Sequence, residues 1–295
     1  IMNTADKSLI ERILTARVYD VAKETPLDFA KNLSQRLDNQ IFLKREDLQP
    51  VFSFKIRGAF NRMFQLSAEE RARGIVAASA GNHAQGVALA GKTLGIRTII
   101  VMPKVAPDIK INAVKSFGGE VVIHGNNFDE AFAHARHLEQ MEGMTFVHPF
   151  DDLDVIAGQG TIGMELVRQH PDPIDAIFLA VDGGGLVAGV GSYLKYLYPN
   201  TKIISVEHEE APTLHDSIKA GQRVQLAQVG TFADGAAVKL IGEQTFEIAK
   251  GVVIKASPNI ENGFRVGIKG ENYYYDFADD AVAELGNQFI DVRHR

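Results

Sequence analysis

From residue 54 to residue 220 the chain alternates between stretches of helical periodicity and short runs rich in Val, Ile and Ala. The spacing predicts helices over 55–66, 82–94, 107–117, 128–142, 154–170, 186–198 and 212–220. Strands are expected over 74–78, 97–102, 120–124, 145–148, 176–181 and 202–207. Strands separated by helices pair in parallel through right-handed crossovers. The order therefore implies an α/β fold of doubly wound open sheets, in which ligands gather at the carboxyl ends of the strands. Upstream, 8–20 reads as an amphipathic helix, with Leu9, Ile10, Ile13 and Leu14 at helical spacing. Residues 29–37 form a further helical or irregular piece leading to a strand over 40–44.

A chain of 295 residues exceeds the usual size of one core, so one large or two smaller domains are expected. The formal charge of −6 argues against an electrostatic nucleic-acid surface. The sequence has no cysteine, which removes disulfides, thiolate metal sites and cysteine nucleophiles together and is compatible with a cytoplasmic location. Neither a secretory signal nor a membrane span is expected. Ile1-Met2-Asn3-Thr4-Ala5-Asp6 holds no basic segment followed by an apolar run, and no apolar stretch is long enough to cross a bilayer.

Three stretches carry chemistry. In Phe52-Ser53-Phe54-Lys55-Ile56-Arg57-Gly58-Ala59 a lysine sits among apolar neighbours. Such surroundings disfavour a hydrated ammonium and favour a nucleophilic amine, as a Schiff-base lysine requires. The plainer reading is a helix start, with Ser53 as cap, Phe54 and Ala59 buried and Lys55 reaching for solvent. Next, Ser79-Ala80-Gly81-Asn82-His83-Ala84-Gln85-Gly86 joins a strand to an Ala/Gly-rich helix. Backbone N–H groups at such a helix start bind carboxylates or phosphates; an ordinary turn capped by Asn82 reads equally well. The third stretch, Ala180-Val181-Asp182-Gly183-Gly184-Gly185-Leu186, repeats the pattern of strand, glycines and helix.

These stretches together resemble the fold-type II pyridoxal-phosphate enzymes, and within them the threonine dehydratases (threonine ammonia-lyases). Ser53–Ala59 is similar to the family's cofactor-lysine motif and Ser79–Gly86 to its substrate-carboxylate loop. Further matches are Thr25-Pro26-Leu27, Lys44-Arg45-Glu46-Asp47, Phe117-Gly118-Gly119-Glu120-Val121, Val155-Ile156-Ala157-Gly158-Gln159-Gly160-Thr161 and Phe232-Ala233-Asp234-Gly235. The resemblance runs from about residue 9 to residue 250. It implies two doubly wound domains of the tryptophan synthase β-like kind, with the cofactor in the cleft between them. Residues 1–48 plus 151–295 would form the large cofactor-binding domain and 49–150 a small inserted one, with no complete C-terminal regulatory domain.

The resemblance also implies roles. Lys55 is the catalytic, cofactor-bearing residue; Phe54, Asn82, Gly183, Gly184, Gly185 and Leu186 join it around pyridoxal 5'-phosphate. Ser79, Ala80, Gly81, Asn82 and His83 line the site of the amino-acid substrate. The implied reaction converts L-threonine, and L-serine as a second substrate, to 2-oxobutanoate or pyruvate and ammonia, the first step towards isoleucine. Related serine racemases resemble this chain but look to carry serine where it has Ala80. An alanine cannot move protons, so elimination is expected over racemisation. His83 is read as a partner for nearby backbone. Arg45 and Arg57 are read as structural ion-pair residues and the His134/His137 pair as solvent-exposed. Glu207 is followed by Thr213 where a carboxylate partner would be needed, so no metal is expected. A homo-oligomer is expected, with no nucleic-acid or membrane partner.

The chain departs from the family pattern at two places. The dehydratases usually carry four glycines and a leucine where this chain has Asp182-Gly183-Gly184-Gly185-Leu186. A carboxylate about 5 Å from a phosphate would be repelled by about 3 kcal/mol per unit charge at an effective dielectric of about 20. Alternatively Asp182 points away, or caps its own helix start in competition with the phosphate. Weakened cofactor retention is expected. Second, nothing after Lys250 matches the family's Glu-Pro-Ser-Gly-Ala-like segment. A turn at 256–259, a strand around Tyr273-Tyr274-Tyr275 and a short helix over 279–285 are expected there.

Two other functions fit parts of the sequence. A catalytically impaired relative, acting as a binding module, is suggested by Asp182 and the unmatched tail. A nicotinamide-dependent oxidoreductase is suggested by Gly183-Gly184-Gly185-Leu186-Val187-Ala188 after a strand, with Glu207 ending the next one.

Overall fold

A computed structural model describes residues 8–230 and 238–253, and the backbone of two strands at 264–267 and 274–277. The expected turn at 256–259, the expected helix over 279–285 and the Phe232–Gly235 match lie outside the described residues. By its contacts the chain forms two units, residues 1–28 with 42–254, and residues 29–41 with 255–295.

The first helix, α1 (Leu9–Leu14), opens on a reciprocal cap between Ser8 and Glu11 and is shorter than expected. It stops because the next backbone is used elsewhere: Arg17 N donates to Asn61 Oδ1 at 2.9 Å. Then follow β1 (Leu27–Phe29), α2 (Lys31–Arg36), β2 (Phe42–Lys44), α3 (Lys55–Phe64) and α4 (Ala68–Arg73). Helix α4 was not expected. A capping box between Ser67 and Glu70 starts it and Gly74, at φ 84°, ends it.

The alternating region continues through β3 (Ile75–Ala78), α5 (Asn82–Leu94), β4 (Thr98–Met102), α6 (Asp108–Ser116), β5 (Glu120–Ile123), α7 (Phe128–Glu142) and β6 (Thr145–Phe146). These strands form a four-stranded parallel sheet in the order β5-β4-β3-β6, with Ile75 opposite both Thr98 and Thr145. Period-two alternation supplies both faces. Ile75, Ala77, Ile100 and Met102 join Phe60 and Met63 of α3 and Val87 and Ala88 of α5 in one apolar cluster. Val76, Ala78, Ile99 and Val101 join Ala131 and Ala135 of α7 in another. Each fully buried Val or Ile contributes about 1.5–3 kcal/mol. Helices therefore cover the sheet on both sides, as the doubly wound reading requires.

The chain then gives α8 (Leu153–Gln169), β7 (Ala176–Ala180), α9 (Gly185–Leu197), β8 (Lys202–Val206), α10 (Thr213–Ala220) and α11 (Glu243–Val252). Strands β7 and β8 pair in parallel, Ala176 opposite Lys202. Helix α3 meets α8 through glycines: a methyl group added at Gly158 would lie 2.6 Å from Gly58 Cα. Beside this contact lies a buried charged network. Arg57, fully buried, donates to Glu165 at 2.5 Å, to Glu46 at 2.8 Å and to Thr161 at 3.1 Å. Glu165 also accepts from Lys44 at 2.6 Å and Tyr19 at 2.8 Å. Burial pushes the Glu165 carboxyl up, but its bonds to Arg57, Lys44 and Tyr19 outweigh burial and hold it below the usual value. Arg45 pairs with Asp28 and Asp47, both at 2.8 Å, so both arginines are structural ion-pair residues.

Within the second unit, Ser34 Oγ accepts from Ile41 N at 2.9 Å. Strands β9 (Phe264–Gly267) and β10 (Tyr274–Phe277) pair antiparallel, so Tyr274 and Tyr275 fall in a strand as expected.

Candidate active site

Lys55 is the first residue of α3 and is only 7% exposed. The N-cap position is Phe54 and not Ser53, because Phe54 already has helical backbone angles; Ser53 Oγ, one residue further upstream, accepts from Lys55 N at 3.3 Å. The side chain does not reach for solvent. Its Nζ forms an ion pair with Asp182, donates to Pro149 O at 3.4 Å and lies 5.4 Å from the centre of the Phe54 ring. Phe54 itself packs, half-buried, into the apolar cluster around β7 and α9, as does Leu186.

Asp182 stands between β7 and α9. One carboxylate oxygen pairs with Lys55 and the other accepts from Gly183 N. The last of the sequence alternatives is thus met in part, since the carboxylate does engage its own glycine turn. The pairing with Lys55 was not foreseen. The turn is held from outside by two residues. Phe150 lies directly over Gly183, where any β-carbon would overlap its ring. Thr245 Oγ1 donates to Gly183 O at 2.6 Å. Gly184 has φ 90°, a backbone that favours glycine, and a β-carbon there would lie 3.0 Å from Thr245.

The 79–83 turn follows β3 at its carboxyl end. Ser79 Oγ accepts from Gly81 N at 3.1 Å, and a β-carbon at Gly81 would meet no heavy atom within 4 Å. Ala80 is half-buried and Asn82, at the start of α5, is exposed. His83 is 3% exposed. Its Nε2 donates to Val147 O at 3.0 Å, while Nδ1, also buried, has no hydrogen-bond partner among the described residues. Burial drives its pKa down to about 3 against the bond to Val147, and the nearby Lys55 charge pushes it the same way. The ring is neutral, and Nδ1 is left as an acceptor. One turn along α5, a β-carbon at Gly86 would lie 3.2 Å from Ile56 N and 3.3 Å from Lys55 C. The helix that carries the 79–83 turn therefore sits against the backbone that carries Lys55.

A third turn, 147–152, was missed in the sequence. It follows β6, which ends earlier than expected because His148 turns the chain: its Nδ1 accepts from Asp151 N at 2.8 Å and Phe150 N at 3.3 Å. Burial holds this imidazole down at about 4, against the pull of Asp151 and Asp152. The turn supplies the Pro149 carbonyl to Lys55, the Phe150 ring to Gly183, and the Asp151 carboxylate to α11. Its position after a strand was the available signal, since the other two turns hold the same place in their sheets.

Other candidates resolve differently. Glu207 caps α10, accepting from Leu214 N at 2.7 Å, His215 N at 2.8 Å and Thr213 Oγ1 at 3.2 Å. Both its oxygens are engaged, which removes the acidic group that the nicotinamide reading needs. His137 is exposed as expected, but His134 stacks on His124 with ring centres 3.9 Å apart. Among the described residues no group of three or more His, Asp or Glu could hold a metal ion, and no helix is long and apolar enough to cross a membrane.

A family model described as pyridoxal-phosphate dependent enzyme matches residues 18–257. The chain belongs to this family. Among curated relatives it is 53% identical over 249 residues to the biosynthetic L-threonine dehydratase of Burkholderia multivorans, covering 83% of this chain and 49% of the relative. The chain spans about half the length of the curated relatives it matches. Among solved structures it is similar to the processed form of threonine deaminase isoform 2 from Solanum lycopersicum, at 52% identity and a TM-score of 0.81, covering 83% of this chain and 71% of that one. It is also similar to maize serine racemase, at 33% identity and a TM-score of 0.80, covering 83% and 75%. The parallel α/β architecture is that of the fold-type II, tryptophan synthase β-like enzymes of the family.

The residues fit pyridoxal phosphate at several points. A buried amine, a glycine turn opening a 13-residue helix, open space over Gly81 and an unpaired buried acceptor on His83 suit an anionic, hydrogen-bonding aldehyde and its amino-acid partner. One side chain, Asp182, stands against the fit.

Proposed function

We propose that this chain is a threonine ammonia-lyase dependent on pyridoxal phosphate. It takes L-threonine to 2-oxobutanoate and ammonia, and L-serine to pyruvate and ammonia, in amino-acid metabolism leading to isoleucine. The observation that carries this reading is the buried Lys55 amine, which touches two strand-end turns through Asp182 and Pro149 and whose helix packs against the one that carries the 79–83 turn. The names of the relatives support the substrate.

Bound here, pyridoxal phosphate supplies an aldehyde that captures amines and a ring that spreads negative charge. Lys55 would be its covalent anchor, and the Lys55 Nζ would be the group that takes the proton from the substrate Cα. The glycines at 183–185 and the start of α9 hold the phosphate, and the 79–83 turn holds the substrate carboxylate. Asn82 orients the ring, and Phe54 and Leu186 exclude water beside it. The neutral His83 ring accepts a hydrogen bond at Nδ1 and carries no proton in turnover. Ala80 has no group to protonate the opposite face, which favours elimination over racemisation.

The test is release of 2-oxoacid from threonine and from serine, with cofactor added, by the chain and by Lys55→Ala. Turnover that disappears with Lys55 is expected. A second reading, a binding module that keeps the fold, draws on the Lys55–Asp182 ion pair. It gains ground if cofactor binds but neither amino acid releases a 2-oxoacid.

The proposal extends to organisation. A large domain of 1–48 plus 151–295 and a small one of 49–150 are supported by a four-stranded sheet within 75–146 and a two-stranded sheet within 176–206. A cytoplasmic homo-oligomer with a small-molecule substrate, without nucleic acid or membrane as partner, completes it. Light scattering reads the assembly state.

A further inference from the structure

Asp182 engages two groups that the proposed function gives to the cofactor. Its Oδ2 pairs with the Lys55 ammonium and its Oδ1 accepts from Gly183 N, the first N–H of the glycine turn. The carboxylate is largely enclosed, at 13% exposure, beside a lysine side chain at 8%. An ion pair so enclosed is screened less than one at the surface. The turn itself is fixed by Phe150 and Thr245, so the phosphate loop cannot retreat to make room. The side chain that can move is Asp182.

We propose that Asp182 is a built-in occupant of the cofactor site, a carboxylate that holds Lys55 and the glycine turn until the cofactor displaces it from both. The inference rests on Lys55 being the cofactor lysine. It makes Asp182 a determinant of specificity among aldehydes. A phosphorylated aldehyde needs Lys55 and the glycine turn, and brings negative charge towards the carboxylate. Pyridoxal, which lacks the phosphate, needs only Lys55 and leaves Asp182 on its turn.

The test uses equilibrium dialysis of the cofactor-free chain with pyridoxal phosphate and, separately, with pyridoxal. Asp182→Asn removes the charge at constant shape, and Asp182→Gly removes the side chain. Both variants are expected to bind pyridoxal phosphate at least about tenfold more tightly, with a smaller gain for pyridoxal. Reading the ratio of the two affinities within each protein cancels any general loosening of the fold. A second readout is acetylation of Lys55 by acetic anhydride in the cofactor-free chain, followed by mass spectrometry. It is expected to be several-fold faster in both variants. An unchanged affinity ratio together with unchanged Lys55 acetylation overturns the inference. Pyridoxal phosphate affinity that is the same in Lys55→Ala as in the parent chain overturns instead the reading of Lys55 on which it rests.

Discussion

Asp151 caps a helix that begins at Glu243, accepting from Glu243 N at 2.9 Å and from Gln244 N at 2.8 Å. The turn after one sheet is thereby tied to the helix whose Thr245 braces the glycine turn of the other. Replacing Asp151 with Ala removes the cap and is expected to cost about 1–2 kcal/mol in urea unfolding. Asn at this position, which still accepts, should recover most of the loss. The same Ala variant should bind pyridoxal phosphate less tightly, because Thr245 is then less firmly held against Gly183.

Phe150 and Gly183 set a steric test. Ala at 183 forces a β-carbon into the Phe150 ring, and overpacking of this kind costs about 1–3 kcal/mol. A Phe150→Ala, Gly183→Ala double variant should regain part of that stability. If the double variant is as unstable as the sum of the single changes, measured by thermal unfolding, the two residues are not in the contact described.

The Arg57–Glu165 pair sits with no solvent exposure on either side chain. Replacing Arg57 with Met leaves a buried carboxylate short of its main partner and should cost about 3–5 kcal/mol. Removing both charges, with Met at 57 and Gln at 165, should cost less than Arg57→Met alone. Chemical denaturation of the three variants checks the order.

The two buried histidines predict acid sensitivity. His83 and His148 have folded pKa values of about 3 and about 4, below the unfolded value of 6.5. Between those limits the unfolded chain binds more protons than the folded one. Their contribution is therefore whole above pH 6.5 and is lost as pH falls towards 4, by up to about 1.4 kcal/mol per pH unit for each ring. Urea midpoints at pH 7.5 and pH 5 should differ accordingly. The difference should shrink in His148→Asn, even if that variant is less stable throughout.

The parallel sheets were legible because their signals are local: buried runs such as Ile75–Ala78 alternate with helices that end on glycines such as Gly95 and Gly143. The Ser67/Glu70 box that starts α4 was equally local and was overlooked. Other features could not be read from nearby sequence. Helix α1 stops where Arg17 finds Asn61, and α11 is capped by a residue far upstream, so neither boundary has its cause at hand. The same holds at the site. The sequence placed the 79–83 and 182–186 turns at strand ends, marked Lys55 as a Schiff-base candidate at a helix start and flagged Asp182 as foreign. Its partner is a long-range contact, decided by how α3 and α9 are set in space.

At Gly86 the main chains of α5 and α3 come so close that a β-carbon would lie 3.2 Å from Ile56 N and Cα. With no side chain between them, the spacing of α5 from α3 has no part that can be trimmed or enlarged. The reach between the amine at one helix start and the turn at the other is thus built into the scaffold. A derivative meant for a bulkier amino acid would gain room more readily from the length of a loop than from this crossing, where any added atom presses directly on main chain.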